Sequence, residues 1–352
     1  MTALPDPPAL PELPLLPELT ELLEAAHVVS LPMRVRFRGV DAREVVLVSG
    51  PAGWGEFAPF SEYEDDEASW WLAAAIEAAW SGFPQPLRTS VPVNATVPAV
   101  PPADVASVLA RFDGCTTVKV KVAERGQALE DDVARVAEVR RLVGAAGRVR
   151  VDANGAWDVD QARSALAALS RFGLEYAEQP CATLDELTQL RTALARDHVD
   201  LLIAADESIR KADDPFAVAA AGAADVAVVK VAPLGGVRRA LAVAGRLRDE
   251  HGLDVVLSSA LDSSVGIAAG AAAAAALPEL PFACGLGTVG LLAADVASEP
   301  MLPAAGSLRV RAVEPDRTRL GALAAPTERQ EWWLRRLSRC YHVLEKRAGS
   351  AR

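Results

Sequence analysis

The sequence is poor in the residues that mark redox, zinc and nucleic-acid proteins. Four cysteines (Cys115, Cys181, Cys284, Cys340) are spread over 352 residues with no C-x-x-C spacing. They read as reduced thiols of a cytoplasmic protein, not as a disulfide framework or a thiolate metal site. The four histidines (His27, His198, His251, His342) are equally scattered, and none closes a strand-like segment, which removes a histidine-based zinc site. Basic charge is in deficit. Against 47 Asp and Glu stand 36 Lys and Arg, a net charge of −11, so a nucleic-acid surface is excluded as a partner, as is a polybasic membrane face. Long apolar runs are missing as well. The stretch "GIAAGAAAAAAL" (266–277) falls short of the roughly 20 residues that span a bilayer, and its small side chains suit a helix lying close on a sheet. The start, "MTALPDPPALPELPLLPEL", has no basic region and is broken by prolines. It reads as a loose extension over residues 1–20, neither a signal peptide nor a membrane anchor.

What is present is ordinary globular material, 51% hydrophobic and 24% charged, arranged with a rhythm. From residue 92 onward short apolar segments recur: "PVNATVP", "TTVKVKV", "RVRVDAN", "LEYAEQP", "DLLIAADES", "DVAVVKVAP", "DVVLSSA" and "PFACGLGT". They lie roughly 25–30 residues apart, with helical Ala/Leu/Arg stretches between them, which is βαβ spacing and predicts a parallel sheet. Eight such units predict an α/β fold in which a (β/α)8-type barrel closes over residues 91–300. No G-x-G-x-x-G opens the first unit, which weighs against an open dinucleotide-binding sheet. Residues 1–90 read differently. "HVVSLPMRVRFRG" and "AREVVLVSG" predict two antiparallel strands, "GPAGWGEFAPFSEYEDD" a loop and "EASWWLAAAIEAAW" a helix, together an α+β capping domain. Residues 301–352 are expected to return to pack against it.

The chemistry lies at the strand ends. In "TTVKVKVAE" (116–124) two lysines alternate with valines, so Lys119 and Lys121 point to one face of a strand and the valines to the other. In barrel order the C-terminal strand edges then carry Asp152 and Asn154, Glu178, Asp206 with Glu207, and Lys230. A single strand-end acid is an ordinary helix cap. Three on adjacent strands, Asp152, Glu178 and Asp206, would repel one another unless a cation joined them, and oxygen ligands alone select a hard ion such as Mg²⁺, with Mn²⁺ able to substitute. A lysine near that cation and a second ammonium is expected to lose its proton more readily and serve as an acid/base. Lys121, nearer the strand end, is expected in that role, with Lys119 tuning it and Lys230 facing the substrate from across the barrel.

The K-x-K of "VKVKV", the D-x-N of "VDANGAW", "EYAEQP", "ADES" and "VVKVAPLGG" resemble the muconate-lactonising subgroup of the enolase superfamily, and the resemblance covers nearly the whole chain. It implies a small-molecule carboxylate substrate, Lys121 as base with Lys119 beside it, Lys230 as second active-site lysine, and Asp152, Glu178 and Asp206 as Mg²⁺ ligands. It also implies that Arg150, two residues before the first ligand, contacts substrate. Further stretches, "RFRG", "GPAGWGEFAPFSEY", "RVRVDANGAW" and "VVLSSALDSSVG", resemble a branch that dehydrates a cyclohexadiene carboxylate bearing a succinyl chain. N-acylamino-acid racemisation or dipeptide epimerisation would use the same site, and a barrel that has lost catalysis is the reading from another class. Backbone N–H groups around Ser258, Ser259 and Gly285 are expected to hold the succinyl carboxylate, and the loop 50–63 to fold down as a lid. The sequence sets no oligomeric state.

Overall fold

The computed structural model describes residues 10–37, 39–210 and 214–350. Arg38 of the "RFRG" stretch and the first nine residues of the proline-rich start lie outside the described residues. The chain passes from α1 (Leu19–Glu24) into β1 (Ala26–Phe37), β2 (Val40–Gly50) and β3 (Gly53–Phe57), an antiparallel sheet in that order. Val45, Val46, Leu47 and Val48 of the middle strand are fully buried, so the sheet is covered on both faces. α2 (Asp65–Ile76) packs on β2 and β3. A Cβ on Gly55 would stand 2.0 Å from the Ala75 carbonyl oxygen, so the bare glycine lets helix and strand touch.

The barrel follows as β4 (Ser90–Pro92), β5 (Ala95–Val97), α3 (Pro102–Leu109), β6 (Thr117–Lys121), α4 (Leu129–Val143), β7 (Arg148–Asp152), α5 (Val159–Ser170), β8 (Leu174–Glu178) and α6 (Leu184–Arg196). It continues through β9 (Leu202–Ala205), the single turns α7 (Glu207–Arg210) and α8 (Ala217–Ala220), β10 (Val226–Lys230), α9 (Val237–Asp249), β11 (Asp254–Ser258) and α10 (Ser264–Ala276). β5 to β11 form one parallel sheet in sequence order. Buried on both faces, β6 and β10 are exposed at no position, which is why their sequences are valine-rich. The helices each bury one stripe, such as Val237, Ala240, Val243, Ala244 and Leu247 of α9. The chain ends with β12 (Ser307–Arg309), which pairs with β4, then α11 (Arg317–Ala322) and α12 (Thr327–Ser350), which lies against α2 and β1.

Two expectations are adjusted. The eighth segment, "PFACGLGT", is no regular strand. It closes the ring through single bridges, Cys284 to Val93 and Gly285 to Ser258, and continues into a 3-10 turn over Thr288–Leu291. A Cβ on Gly285 would lie 2.4 Å from the Ser258 hydroxyl, so the closure is tight enough to require glycine and too short for a ladder. The 50–63 loop, expected as a lid, holds β3, with Phe57, Phe60 and Tyr63 buried in the core.

Candidate active site

Strand register sets the layers inside the barrel. Lys121 pairs with Asp152 and Asp152 with Glu178 across β6, β7 and β8, so their side chains enter at one height. Lys119 and Arg150 pair one layer lower. Below the charged layer a small apolar cluster, Tyr176, Ala204, Val226, Val228, Val256 and Phe282, fills the barrel floor. The valines of β6 face outward into the main core, which explains the two like charges within a buried strand. One strand face supplies packing and the other supplies the site.

The charges pair closely. Lys121 Nζ donates to Asp152 Oδ2 at 2.6 Å and to Asn154 Oδ1 at 2.6 Å. Lys119 Nζ bridges Glu178 at 2.8 and 2.9 Å and lies 3.1 Å from Asp152. From the other wall, Lys230 Nζ donates to Asp206 at 2.6 Å, and Arg210 reaches Asp206 at 3.1 Å. All three carboxylates are only 1% exposed. Burial alone would raise them, yet Lys121 and Lys119 hold Asp152 well below the usual carboxylate range, and Lys230 and Arg210 do the same for Asp206. Glu178 goes the other way. Burial and the charge of Asp152 push it up to about 7, against the pull of Lys119. Burial also pulls Lys119 down, but Glu178 and Asp152 outweigh it and keep that ammonium charged. For Lys230, burial wins over Asp206, and its proton is held more loosely than an ordinary lysine's.

Three buried carboxylates without histidine or cysteine suit a hard divalent ion by donor chemistry. As the side chains stand, no three acidic, histidine or cysteine groups among the described residues are gathered to hold one, because each carboxylate is turned onto a lysine. An ion would have to take over oxygens that the lysines now hold. Glu207, next to Asp206, turns to Arg210 at 2.5 Å and Asn154 at 3.3 Å, so Asp206 and not Glu207 shares the layer with Lys230.

A narrow chamber of about 30 Å³ lies over this layer, walled by Lys119, Lys121, Lys230, Ser258, Ser259 and Gly285. That is room for about one water, so admitting a substrate requires the wall to move. Phe37, at the end of β1, forms part of it, with Lys121 Nζ 5.3 Å from its ring centroid. The capping domain therefore reaches the site through β1, and Glu56 and Ala58 of the 50–63 segment line a neighbouring cavity with Lys230 and Ser258. Thr96 and Thr288 also line the chamber. Sequence reasoning named none of the three individually, although Phe37 lies in "RFRG", Thr96 in "PVNATVP" and Thr288 in "PFACGLGT". Asn154 was visible beside Asp152, but its bond to Lys121 was not.

Two groups expected to contact substrate have other partners in this structure. Arg150 is fully buried beneath the site, bonded to Glu175 at 2.5 Å, Asn94 at 3.2 Å and the Ala283 carbonyl at 2.7 Å, and stacked over Tyr176. It plugs the barrel floor. The N–H groups of Ser259 and Gly285 are spent on barrel closure, donating to Gly285 O and Leu257 O, so what these residues offer the chamber is hydroxyls and surface. Ser259 Oγ lies 2.9 Å from Gly285 O and 2.8 Å from Thr288 Oγ1.

Two capping-domain side chains hold the chamber's far wall. Arg43 Nε donates to Leu261 O at 3.2 Å, and Glu56 accepts from the N–H groups of Ser263 and Gly266 at the start of α10. Leu261 has φ 65°, a backbone that costs a branched residue about 1–3 kcal/mol unless its surroundings enforce it. Arg43→Met should let this turn relax. Steady-state kinetics are expected to show KM rising several-fold more than kcat falls, and a parallel loss of both without a KM change would refute a positioning role. Burial and neighbouring Asp262 push the Glu56 carboxyl up to about 7. A carboxyl raised above its unfolded value of 4.5 keeps its proton on folding. Native stability is then full below that value and declines as pH rises through 7. Melting temperatures from pH 4.5 to 8 should fall less steeply in Glu56→Gln than in the parent.

Strand-end acids on three successive strands, lysines on both flanks and an α+β cap define an enzyme of the enolase type. Residues 103–321 match the family model described as enolase C-terminal domain-like, and residues 28–79 the one described as enolase N-terminal domain-like. Within that superfamily the chain belongs to the o-succinylbenzoate synthase family: it is 57% identical over 329 residues to the o-succinylbenzoate synthase of Mycobacterium marinum, covering 93% of this chain and 97% of that one. The Mycolicibacterium smegmatis o-succinylbenzoate synthase is 58% identical over 324 residues, 92% of this chain and 97% of its own. Among solved structures, muconate lactonizing enzyme from Pseudomonas putida superposes with a TM-score of 0.69 at 23% identity, over 85% of this chain and 98% of that one. The 2-chloromuconate cycloisomerase from Rhodococcus opacus 1CP gives 0.72 at 25% identity, over 86% and 98%. Among the described residues no helix is long and apolar enough to cross a membrane.

Proposed function

We propose that this chain is a cytoplasmic o-succinylbenzoate synthase. It removes water from 2-succinyl-6-hydroxy-2,4-cyclohexadiene-1-carboxylate to give 2-succinylbenzoate on the route to menaquinone. The reading is carried by the chamber between Lys121 and Lys230 in a chain 57% identical to named synthases over 93% of its length. In the reaction Lys121 takes the proton from the ring carbon bearing the carboxylate. The C–H electron pair moves onto the substrate carboxylate as an enediolate and then forms the new ring double bond as the C–O bond at the neighbouring carbon breaks, and Lys121 returns its proton to the departing hydroxide as water. Lys230, from the opposite wall, sets its ammonium against the charge that develops in the substrate carboxylate. Asp152, Glu178 and Asp206 would hold a divalent ion, Mg²⁺ or Mn²⁺, which when bound supplies positive charge to the substrate carboxylate. Asn154 steadies the Lys121 amine, and Phe37 shuts water out once the ring is inside.

Two lysines on opposite walls also suit racemisation of N-acylamino acids or epimerisation of dipeptides, with one base for each face. The test is direct: the purified protein is assayed with the cyclohexadiene carboxylate and with a panel of N-acylamino acids and dipeptides. Dehydration is expected to have the highest kcat/KM by orders of magnitude. Turnover of the amino-acid panel alone would overturn the assignment.

A further inference from the structure

The turn that brings Thr288 to the chamber also borders, through Val289 and Gly290, a second and open pocket of about 310 Å³. Three arginines reach this pocket from distant parts of the chain: Arg34 on β1, Arg111 just past α3, and Arg319 on α11. In a chain of net charge −11 such a concentration of guanidinium groups calls for a counter-charge, yet among the described residues none of the three forms an ion pair. Arg34 Nε donates to Leu292 O at 2.9 Å and Arg319 Nη1 to Asp295 O at 3.2 Å, both backbone carbonyls. The carboxylate of Asp295, the acid of this pocket, is occupied by the N–H groups of Ser264 and Ala297 at 3.1 and 3.2 Å.

Arg111 is the least satisfied of the three. Its Nη1 is buried and has no hydrogen-bond partner. Partial burial and the nearby Arg34 both pull its guanidinium below the usual range. Buried donors are nearly always paired, and an unpaired one calls for a missing partner. The wall beside the arginines is apolar, made by Val289, Leu292, Pro300 and Leu302, and Leu302 is 44% exposed. Guanidinium groups set against an aliphatic wall match a carboxylate carried on an apolar body.

We propose that this pocket binds a small organic anion, one or two carboxylates on an apolar body, at a site distinct from the catalytic chamber. A ligand there ties β1 to the 288–292 segment, which Met33 and Leu292 already bridge. These are the elements that carry Phe37 and Thr288 to the chamber wall.

The test is calorimetric titration of the full-length protein with phthalate, benzoate and inorganic phosphate, repeated on Arg111→Met and on Lys230→Ala. Phthalate or benzoate should bind saturably, bind at least tenfold more weakly to Arg111→Met, and bind Lys230→Ala as they bind the parent. Arg111→Met should also melt at a higher temperature than the parent without ligand, since it removes a buried guanidinium nitrogen that has no partner. The proposal is overturned if none of the probes binds in the millimolar range, or if phosphate alone binds. It is equally overturned if binding follows Lys230 in place of Arg111, or if Arg111→Met lowers the melting temperature, which would make Arg111 a structural residue.

Discussion

Lys121→Ala is expected to cripple dehydration, with a loss of roughly 10²–10⁴-fold in kcat, the scale of a lost general acid/base. The case for this size rests on placement. Lys121 Nζ lines the chamber, sits within hydrogen-bond range of Asp152 and Asn154, and belongs to a strand buried on both faces, so the fold holds it in place at the chamber wall. Lys230→Ala should be impaired for a different reason. It removes a facing charge and not the base, and a preorganised charge in a low-dielectric site is worth several kcal/mol to the transition state, roughly 10²–10³-fold in rate. The two variants separate dehydration from racemisation. In D₂O, a racemase would exchange the α-proton of one enantiomer through Lys121 and of the other through Lys230, so each variant would retain exchange of one enantiomer. A synthase loses proton transfer with Lys121 and keeps a slow residue of it without Lys230. Full synthase activity in Lys121→Ala would end the mechanism.

The parts of this site that were legible in the sequence follow from period and order. A strand alternates faces, so "VKVKV" had to aim both lysines together. Parallel strands in sequence order place their ends side by side, so Asp152, Glu178 and Asp206 had to be neighbours. The register confirms that Lys121, Asp152 and Glu178 share a height. Depth along a strand was not legible. Arg150 shares a face with Asp152, and same-face logic cannot tell the mouth from the floor one layer below, where Arg150 bonds Glu175 and Asn94. Backbone hydrogen bonds were equally hidden. A glycine at 285 reads the same whether its N–H faces a ligand or closes a barrel. The "RFRG" stretch was noted, but the place of its Phe37 at the chamber was not legible, because it lies more than fifty residues from any barrel strand in sequence and only the packing of the capping domain brings it there. β3 was missed because Gly53, Gly55 and Trp54 carry turn-like composition, while Gly55 is there for the approach of α2.

The carboxylate layer yields the other large effect, in which stability and activity should part company. Treating the protein with EDTA should abolish turnover, and Mg²⁺ or Mn²⁺ should restore it. Asp152→Asn and Glu178→Gln should each cost orders of magnitude in kcat, but their effects on folding should differ. Asp152 is the counter-charge of two buried lysines, at 2.6 Å from Lys121 and 3.1 Å from Lys119. Removing its charge leaves buried ammonium groups poorly compensated, a change that costs about 3–5 kcal/mol, so the melting temperature should fall by many degrees. Glu178 is pushed upward by burial and by Asp152, with Asp206 adding to the repulsion, and Lys119 keeps Asp152 when Glu178 is neutralised. Glu178→Gln should therefore melt close to the parent. Mg²⁺ bound only by the folded state raises the parent's melting temperature by mass action, and in Glu178→Gln that rise should disappear. A stripped parent that turns over at full rate would dispose of the metal, and a Mg²⁺-induced rise undiminished in Glu178→Gln would remove Glu178 from the ligand set.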